Sequence, residues 1–570
     1  MRADDRALKS ECVMSETRDS AMQRLEKVPS SRGMERTTGL EELINAAGGF
    51  GRFQFINLII MLSGKFFCGW SMFQMTFAGL VPDFYCAGSA REDVLDFDSL
   101  PRNSTFNKCY VPFNTTNPYE NKSECLIYNY TSPYKTIMKD FDLVCGRGWI
   151  KRALIVIQMA GLMVGCMTAG QMGDAIGRWW SNFIFVTVHC VGNLATAFSP
   201  GWEIFAACRF FIGVGIGGIL VVAFIHVMEF LPKKWRPACA STPAWMVGVA
   251  VFALASYLLH DWRKLHFLCG ACGLLQLPFL FFIPESVRWL VTQGRIDQAM
   301  TVIDKVARWN DRPPVQRARV VLENVYSEQK EAQTSEKKYT YVAIVRNWSV
   351  SKITLIMCYH WFCYSLAYYG ISFGVSDLAG NFFVNVLLLG LIDTPCLLLS
   401  LYTNIKLGRK WTAVPLLVIS LGCALTCMVL MITGEGGKAS ILITLLSLTA
   451  KSSVLVAWSV VQTWGNELYP TVIRNLGYGA ANTTARVAGI FAPMIIDFKT
   501  RMTESYVLMG VLLLVDLVFV LLLPDTKNKF LPDTIVDFEI ETVGKSGKFE
   551  NNKESVIYKP KSKKFTDTIN

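Results

Sequence analysis

Long apolar segments recur along the whole chain and are separated by short polar stretches. A helix needs about 20 mostly apolar residues to cross the hydrocarbon core of a bilayer. Segments of that length recur here with at most one or two ionisable side chains each, whereas a soluble helix would carry a polar face. The pattern predicts an all-α membrane protein with twelve spans, at 53–79, 150–172, 180–199, 202–228, 240–260, 265–283, 352–374, 378–402, 411–432, 440–464, 475–498 and 503–523.

The composition agrees with a membrane protein. The chain has 570 residues, of which 52% are hydrophobic and 18% charged, and its mean hydropathy of +0.33 is high for a soluble fold. Residues 1–52 are polar and of mixed charge, so the first span does not have the form of a cleavable signal peptide. We therefore expect both termini to lie on one side of the membrane.

The net charge of +11 comes largely from short loops beside the spans. Such a distribution follows membrane topology and does not indicate a nucleic-acid partner. Basic residues follow the fourth span (Lys233, Lys234, Arg236) and the eighth (Lys406, Arg409, Lys410). The positive-inside rule then places these loops and both termini in the cytosol, with Arg263 and Lys264 as exceptions, and we expect the plasma membrane as the location.

Residues 80–149 form a long loop on the opposite, extracellular side in this scheme. The loop carries four glycosylation sequons, at Asn103, Asn114, Asn121 and Asn129. It also holds Cys86, Cys109, Cys125 and Cys145, an even number that suits disulfides in an oxidising compartment, with three pairings open. No cysteine and histidine spacing indicates a metal site, and we expect no metal or cofactor.

Three short motifs occur twice at a nearly constant separation. Glu229-x-x-Pro-x-x-x-Arg236 matches Glu467-x-x-Pro-x-x-x-Arg474, Pro284-Glu-Ser matches Pro524-Asp-Thr, and Gly177-Arg178 matches Gly408-Arg409. The repetition predicts two six-helix halves, 53–283 and 352–523, joined by a cytosolic linker, 284–351, and followed by the tail 524–570. Two similar halves can rock about a central site and expose it alternately to each side.

Several stretches resemble the organic cation, anion and zwitterion transporters of the major facilitator superfamily, which are solute carrier family 22. They are Gly51-Arg-Phe-Gln54, Pro284-Glu-Ser-Val-Arg-Trp-Leu290 and Glu467-Leu-Tyr-Pro-Thr-Val-Ile-Arg-Asn475, and the likeness runs from about 48 to 530. The superfamily loop Gly-x-x-x-Asp-Arg-x-Gly-Arg-Arg is altered here, with Ala175 and Trp179 in place of basic residues and Ile405 in place of the second-half aspartate. The resemblance implies a weakened charge network at the cytosolic ends of the helices.

Charged residues at these helix ends are candidates for a gate. Ion pairs that form when one side closes would bias a two-state equilibrium. Arg209, within the fourth span, precedes Gly213-x-x-x-Gly217, a spacing that allows close helix contact. The candidate gating residues are Asp174, Arg178, Arg209, Glu229, Arg236, Glu285, Arg288, Arg409, Glu467 and Arg474.

Ionisable residues inside the spans indicate the transport pathway, because exposing one to lipid costs at least about 2.5–3.5 kcal/mol. Span seven adds aromatic residues that share a helix face and suit bulky or cationic organic groups. The predicted substrate-binding residues are Lys65, Trp361, Tyr364, Tyr368, Tyr369, Asp393, Lys451, Asn482 and Arg486.

Arg486 is the strongest candidate for the substrate contact. Its guanidinium can bind a carboxylate through two parallel hydrogen bonds. If Asp393 neutralises it internally, Arg486 is structural and the substrate is instead a cation. The Tyr368-Tyr369-Gly370 triplet and Arg486 resemble the anion-handling branch of the family, and carnitine-type zwitterion transporters share the arginine, although Leu397 stands where anion transporters often have lysine.

The predicted function is secondary transport of small organic anions or zwitterions by alternating access. Expected partners are the organic ion, a coupling ion or counter-substrate, and membrane lipid. An organic cation transporter and a transport-dead receptor remain the alternatives. Gly434-Glu-Gly-Gly-Lys438 is followed by Ala439 where a phosphate-binding loop needs a hydroxyl, and no catalytic constellation indicates an enzyme.

Overall fold

The computed structural model describes residues 35–89, 109–112, 122–236, 242–335, 341–469, 473–498 and 501–526. The predicted sequons at Asn103, Asn114 and Asn121 lie outside these residues, as do most of both terminal segments. The first half contains α1 (Glu35–Ala46), α2 (Arg52–Ala78), α3 (Ile137–Asp140), α4 (Trp149–Ile176), α5 (Arg178–Ala197), α6 (Trp202–Phe230), α7 (Ala244–Leu259), α8 (Trp262–Leu274) and α9 (Leu277–Leu280).

The linker and the second half are also helical. The linker contains α10 (Val287–Thr292), α11 (Ile296–Trp309), α12 (Ala318–Ser335) and α13 (Tyr341–Arg346). The second half contains α14 (Trp348–Phe373), α15 (Phe382–Leu391), α16 (Asp393–Leu407), α17 (Arg409–Ile432), α18 (Ser440–Leu468), α19 (Arg474–Ile495) and α20 (Met502–Leu522). The predicted all-α class with twelve spans is confirmed; α8 with α9 forms the sixth span, and α15 with α16 forms the eighth.

Seven of the described spans are long and apolar enough to cross a membrane by length and composition alone. The other five, α5, α7, α8, α14 and α19, are shorter or more polar. Four of them carry buried or partly buried groups such as His189, His266, His360 and Arg486. Ionisable groups are tolerated in spans that face a bundle interior, so the weaker hydropathy of these helices reflects the residues that they enclose.

The halves contact each other through reciprocal pairs of helices. α4, the second span, packs against α19, and α7, the fifth span, packs against α15. Within the first half, Gly213 and Gly217 of α6 sit directly on the backbone of α4, where a Cβ atom would collide with main-chain atoms. The close contact expected from the glycine spacing is therefore present.

The long loop contains a small antiparallel sheet, which hydropathy did not predict. Its strands are β1 (Phe84–Ser89), β2 (Tyr110–Pro112) and β3 (Lys122–Tyr130), in the order β1-β3-β2. Disulfides join Cys86 to Cys125 and Cys109 to Cys145, which selects one of the three pairings that the sequence left open. We call this side of the molecule the loop end.

The opposite side, the linker end, has a hydrophobic core of its own. Apolar residues of α1, α10, α11 and α12 pack together with Phe53 and Phe230. The Asn310 side chain donates to Ala47 O (2.8 Å) and accepts from Phe53 N (3.0 Å). These bonds fasten the linker helices to the start of the first span.

Candidate functional site

Arg486 lies where the two halves meet. It belongs to α19, and its guanidinium interacts with Cys166 of α4, Tyr369 of α14 and Tyr478 of α19. Among the residues that the structure describes, no carboxylate forms an ion pair with Arg486, and its Nε has no hydrogen-bond partner. Arg486 therefore presents a cation at the boundary between the halves.

Asp393 pairs with Lys451 and not with Arg486. Lys451 Nζ donates to Asp393 Oδ2 and to Leu389 O (3.1 Å), and Ser452 Oγ donates to Asp393 Oδ1 (2.6 Å). Both charged side chains are fully buried. The sequence left open whether Asp393 neutralises Arg486. In the structure Asp393 instead forms an ion pair with Lys451, which joins the eighth and tenth spans.

The four predicted aromatic residues of α14 are buried and connect these two charged positions. Trp361 contacts Trp458 and Tyr478 edge to face, with ring centroids 5.9 and 5.1 Å apart. Lys451 Nζ lies 4.8 Å from the centroid of the Tyr368 ring, a cation–π contact. Tyr364, Tyr368 and Tyr369 continue the same buried face along α14.

Two other predicted substrate residues lie outside the aromatic face of α14. Asn482 is partly exposed and lies one turn before Arg486 on α19. Lys65 is partly buried in α2 and interacts electrostatically with Cys68. The structure therefore brings together the aromatic face, Arg486 and the Asp393–Lys451 pair, and leaves the contribution of Lys65 as a prediction.

At the linker end, Arg178 organises a cluster within the first half. Its guanidinium donates to Asp174 Oδ1 (2.6 Å), Gly173 O (2.6 Å) and Glu229 Oε1 (3.3 Å). Gly177, at φ 102°, separates α4 from α5 in a conformation that favours glycine.

Glu285 closes the first-half cluster from the linker. Its carboxylate accepts from the backbone N–H of Arg178 (3.0 Å), Trp179 (3.1 Å) and Ser286 (2.8 Å), so it occupies the N-terminus of α5. Burial raises the pKa of the Glu285 carboxyl, and these backbone donors oppose that rise.

The second half repeats the arrangement. Gly408 has φ 94°, and Arg409 donates to both oxygens of Glu467, at 2.9 and 2.6 Å. Thr526 Oγ1 also donates to Glu467, at 2.5 Å. The duplicated motifs in the sequence therefore correspond to duplicated geometry, in which each glutamate pairs with the arginine after the glycine.

Three other gating candidates have different surroundings. Arg236 pairs with Glu41 of α1 (3.1 Å), and burial lowers its pKa, with Arg288 adding to the effect and Glu41 opposing it. Arg474 donates to Tyr469 O (3.4 Å). Glu467 and Arg474 repeat Glu229 and Arg236 in the sequence, but in the structure the two glutamates pair with Arg409 and Arg178. A shared role of the four residues in a gate stays a prediction.

Arg209 is separated from the linker-end clusters. It lies 20 positions before Glu229 on α6, which is about 30 Å at the rise of an α-helix. It is fully buried in the first half, where its guanidinium donates to Gln158 Oε1, Gln74 Oε1 (3.3 Å) and Ser71 O (3.4 Å). Its geometry is that of an internal polar network and not of an end gate.

At the loop end, two described ion pairs cross between the halves. Lys151 of α4 lies 4.0 Å from Asp377, and Arg152 lies 3.2 Å from Asp497. They border a cavity of about 400 Å³ between α4, the end of α14 and the end of α19. Sequence reasoning did not select these residues, because each lies at the edge of a span, where charge is common.

Comparison with known proteins identifies the family. Residues 111–538 match the model of the "Sugar (and other) transporter" family. A Xenopus laevis protein named solute carrier family 22 member 15-like is 31% identical over 419 residues, covering 72% of this chain and 82% of its own length. The chain belongs to solute carrier family 22. It is therefore a multi-pass membrane transporter of the major facilitator type.

Other members of the family carry different names. An organic cation transporter protein of Drosophila melanogaster is 27% identical and covers 88% of this chain and 94% of its own length. Organic anion transporter 3 of Mus musculus is 26% identical and covers 87% and 94%. A solved structure of the Escherichia coli xylose transporter, at 17% identity, aligns with a TM-score of 0.57 over 84% of this chain and 98% of that one. That likeness supports the fold alone.

Two further buried groups were missed, although the rule that selected Arg486 also applies to them. His360 of α14 and Asp516 of α20 form a hydrogen-bonded pair, and neither side chain is exposed. Asp516 interrupts the apolar stretch 506–523 of the last span. Ionisable residues inside spans are expensive and therefore indicate function.

Proposed function

We propose that this protein transports small organic anions or zwitterions across the plasma membrane by alternating access. The observation that carries the proposal is that Asp393 pairs with Lys451, while Arg486 has no described carboxylate partner. The central region thus keeps one guanidinium for a ligand. A guanidinium offers two parallel N–H donors to a carboxylate, and the contact is stronger in a partly dehydrated cavity than in water.

The surroundings of Arg486 favour an organic ligand over an inorganic anion. The buried aromatic face of α14 supplies apolar surface beside the cation, and its rings also suit the quaternary ammonium group of a zwitterion. Ligand sites combine a mostly apolar lining with a few placed polar groups. A carnitine-like zwitterion fits both features.

The proposed orientation places the loop end outside the cell and the linker end with both termini in the cytosol. Two disulfides in the loop suit an oxidising compartment. Asn129, the sequon within the described residues, is exposed on β3, where its Nδ2 donates to Tyr85 Oη (2.6 Å).

The test is radiotracer uptake in cells that express the full chain, using carnitine, a dicarboxylate, urate and a quaternary amine. Arg486→Lys keeps the charge but loses the planar fork, and Arg486→Ala loses both. A hydrogen bond to a charged group contributes about 1.5–3 kcal/mol, so we expect Arg486→Ala to weaken apparent affinity at least about tenfold and Arg486→Lys to weaken it less.

Rates are normalised to surface-biotinylated protein, and Arg319→Ala is the control because Arg319 is an exposed arginine of α12. Unchanged apparent affinity in both Arg486 variants would contradict the carboxylate site. Uptake confined to the quaternary amine would favour an organic cation transporter.

A further inference from the structure

Two of the described acidic side chains are completely buried, and they are neutralised in different ways. Asp393 pairs with Lys451, a side chain that is cationic without any adjustment of pH. Asp516 pairs with His360, which is cationic only when it has bound a proton. A buried carboxylate needs a compensating charge, so the neutral form of the second pair requires one bound proton.

We propose that His360 and Asp516 form a proton-binding site that couples substrate transport to proton co-transport. The proton adds to the imidazole of His360 opposite the Asp516 carboxylate on the side with the higher proton concentration, and it leaves on the other side. Its addition changes the charge of the pair from minus one to zero. The inference rests on the proposed transport of an organic anion or zwitterion, and it names the coupling ion.

The pair has unfilled hydrogen-bonding capacity. Among the described residues, His360 Nε2 has no hydrogen-bond partner. The Tyr364 ring stacks on His360 with centroids 6.0 Å apart, and Tyr364 also interacts with Asp516. A carboxylate, an imidazole and a phenol thus converge at one buried point.

The pair is mechanically connected to the proposed substrate site. His360 is adjacent in sequence to Trp361, and Tyr364 belongs to the aromatic face that reaches Tyr368 and Tyr369. Both helices belong to the second half, but α14 also contacts α2 of the first half. Rocking of the halves therefore changes the surroundings and hydration of the pair while the pair itself stays together. A buried group whose surroundings change between two states binds its proton with different affinity in each.

The other titratable groups around the pair do not supply a permanent cation. Tyr359, Cys363 and Tyr364 of α14 interact with Asp516. From neighbouring elements, the hydroxyl of Tyr469, just after α18, donates to Thr354 (3.2 Å), and Tyr478 of α19 contacts Trp361. Within the described part of the chain, the ion pair of Asp516 is with His360 and with no lysine or arginine.

The experiment uses full-length protein in proteoliposomes with radiolabelled carnitine as the probe. Exchange of labelled for unlabelled carnitine at equal pH reports the proposed function, because it requires the substrate site but no net proton movement. Accumulation driven by an inward proton gradient reports the coupling. For one coupled proton, a tenfold gradient should raise wild-type accumulation by up to about tenfold.

We expect Asp516→Asn and His360→Gln to lose this gradient-driven accumulation and to retain exchange. Tyr359→Phe is the matched control, because Tyr359 Oη donates to Leu512 O (3.0 Å) between the same two helices without carrying the proton. It should behave like wild type. Asp516→Asn that accumulates carnitine with the wild-type response to the gradient would overturn the inference.

A measurement without substrate separates failure of this inference from failure of the proposed function. The infrared difference spectrum between acidic and alkaline samples of the full chain should contain a carboxyl or imidazole signal that Asp516→Asn removes and Tyr359→Phe preserves. If exchange is absent for carnitine but this signal is present, carnitine is not a substrate while the proton site stands. Spectra that are identical in wild type and Asp516→Asn would refute the proton site.

Discussion

The ion pairs at the two ends of the molecule differ in what they connect. At the loop end, Lys151–Asp377 and Arg152–Asp497 join the first half to the second. At the linker end, the Arg178–Glu229 and Arg409–Glu467 pairs each lie within one half. In this conformation, the described ion pairs on the loop side therefore hold the halves together, while those on the linker side stabilise each half separately.

The comparison changes the gating hypothesis. When two rigid halves rock, contacts between them break and contacts within each half persist. The loop-end pairs are therefore the contacts that opening on that side must break. The linker-end clusters stabilise the junctions α4–α5 and α16–α17. We expect the loss of their ion pairs to disturb the structure of each half and not to separate the halves.

The largest effect is expected from a covalent link across the loop end. Arg152→Cys combined with Asp497→Cys should be joined by a membrane-impermeant, cleavable thiol cross-linker added outside the cell. Because the halves could no longer separate there, uptake should fall almost to zero and return when the link is reduced.

Each single-cysteine variant treated in the same way is the control, and loss of free-thiol labelling reports the extent of linkage. Wild-type uptake after complete linkage would contradict the role of the loop end as a gate. Absence of linkage from outside would contradict its proposed orientation.

A smaller effect is expected from charge reversal inside a linker-end cluster. Glu467→Lys removes both hydrogen bonds from Arg409 and the one from Thr526. The loss of a single charge-assisted bond, at about 1.5 kcal/mol, already corresponds to about tenfold. We therefore expect initial uptake to slow at least about tenfold while surface protein persists.

The double variant Glu467→Arg with Arg409→Glu restores opposite charges and should recover part of the rate. Equal uptake by wild type and Glu467→Lys would remove the cluster from the gating argument. The same pair of measurements at Glu229 and Arg178 compares the two halves directly.

The smallest effect is expected at the weaker loop-end pair. Lys151 Nζ is 4.0 Å from Asp377 and also donates to Ser376 Oγ (3.3 Å), so Asp377→Asn leaves it another partner. Partly exposed ion pairs are worth about 0.2–1 kcal/mol, which corresponds to a change of about fivefold or less in apparent affinity.

Arg52→Ala is the matched control. Arg52 pairs with Asp311, both side chains are exposed, and the pair joins the first half to the linker and not to the second half. We expect no measurable change from it in concentration-dependent uptake. Complete loss of uptake in Asp377→Asn would contradict the small energetic contribution that we assign to this ion pair.

The pattern of apolar segments located all twelve spans, including the five that are shorter or more polar than length and composition alone would require. It did not locate the break between α8 and α9, where Pro278 enters, or the boundary at Ile392 between α15 and α16. It also gave no strands for the long loop. A three-stranded sheet held by disulfides depends on contacts between residues far apart in sequence, which no local pattern records.

Side-chain partners in the site were harder to predict than its location. The sequence placed Asp393, Lys451 and Arg486 inside spans, but which cation meets Asp393 depends on the relative rotation of α16, α18 and α19. Arg209 was grouped with the gate because its neighbours suggested helix packing, although its depth along α6 separates it from that end. Asp516 could have been predicted from the sequence, because the rule that ionisable residues inside spans indicate function applies to it as well.

The attachment of the linker helices through Asn310 makes them move with the first half. Because α11 is fastened to the start of the first span and α1 packs on α11 and α12, this unit tilts with the first half. A fluorophore on α12 and a second one on α17 would therefore change separation as the halves rock. The efficiency of energy transfer between the two fluorophores would therefore report the rocking motion during transport without a labelled substrate.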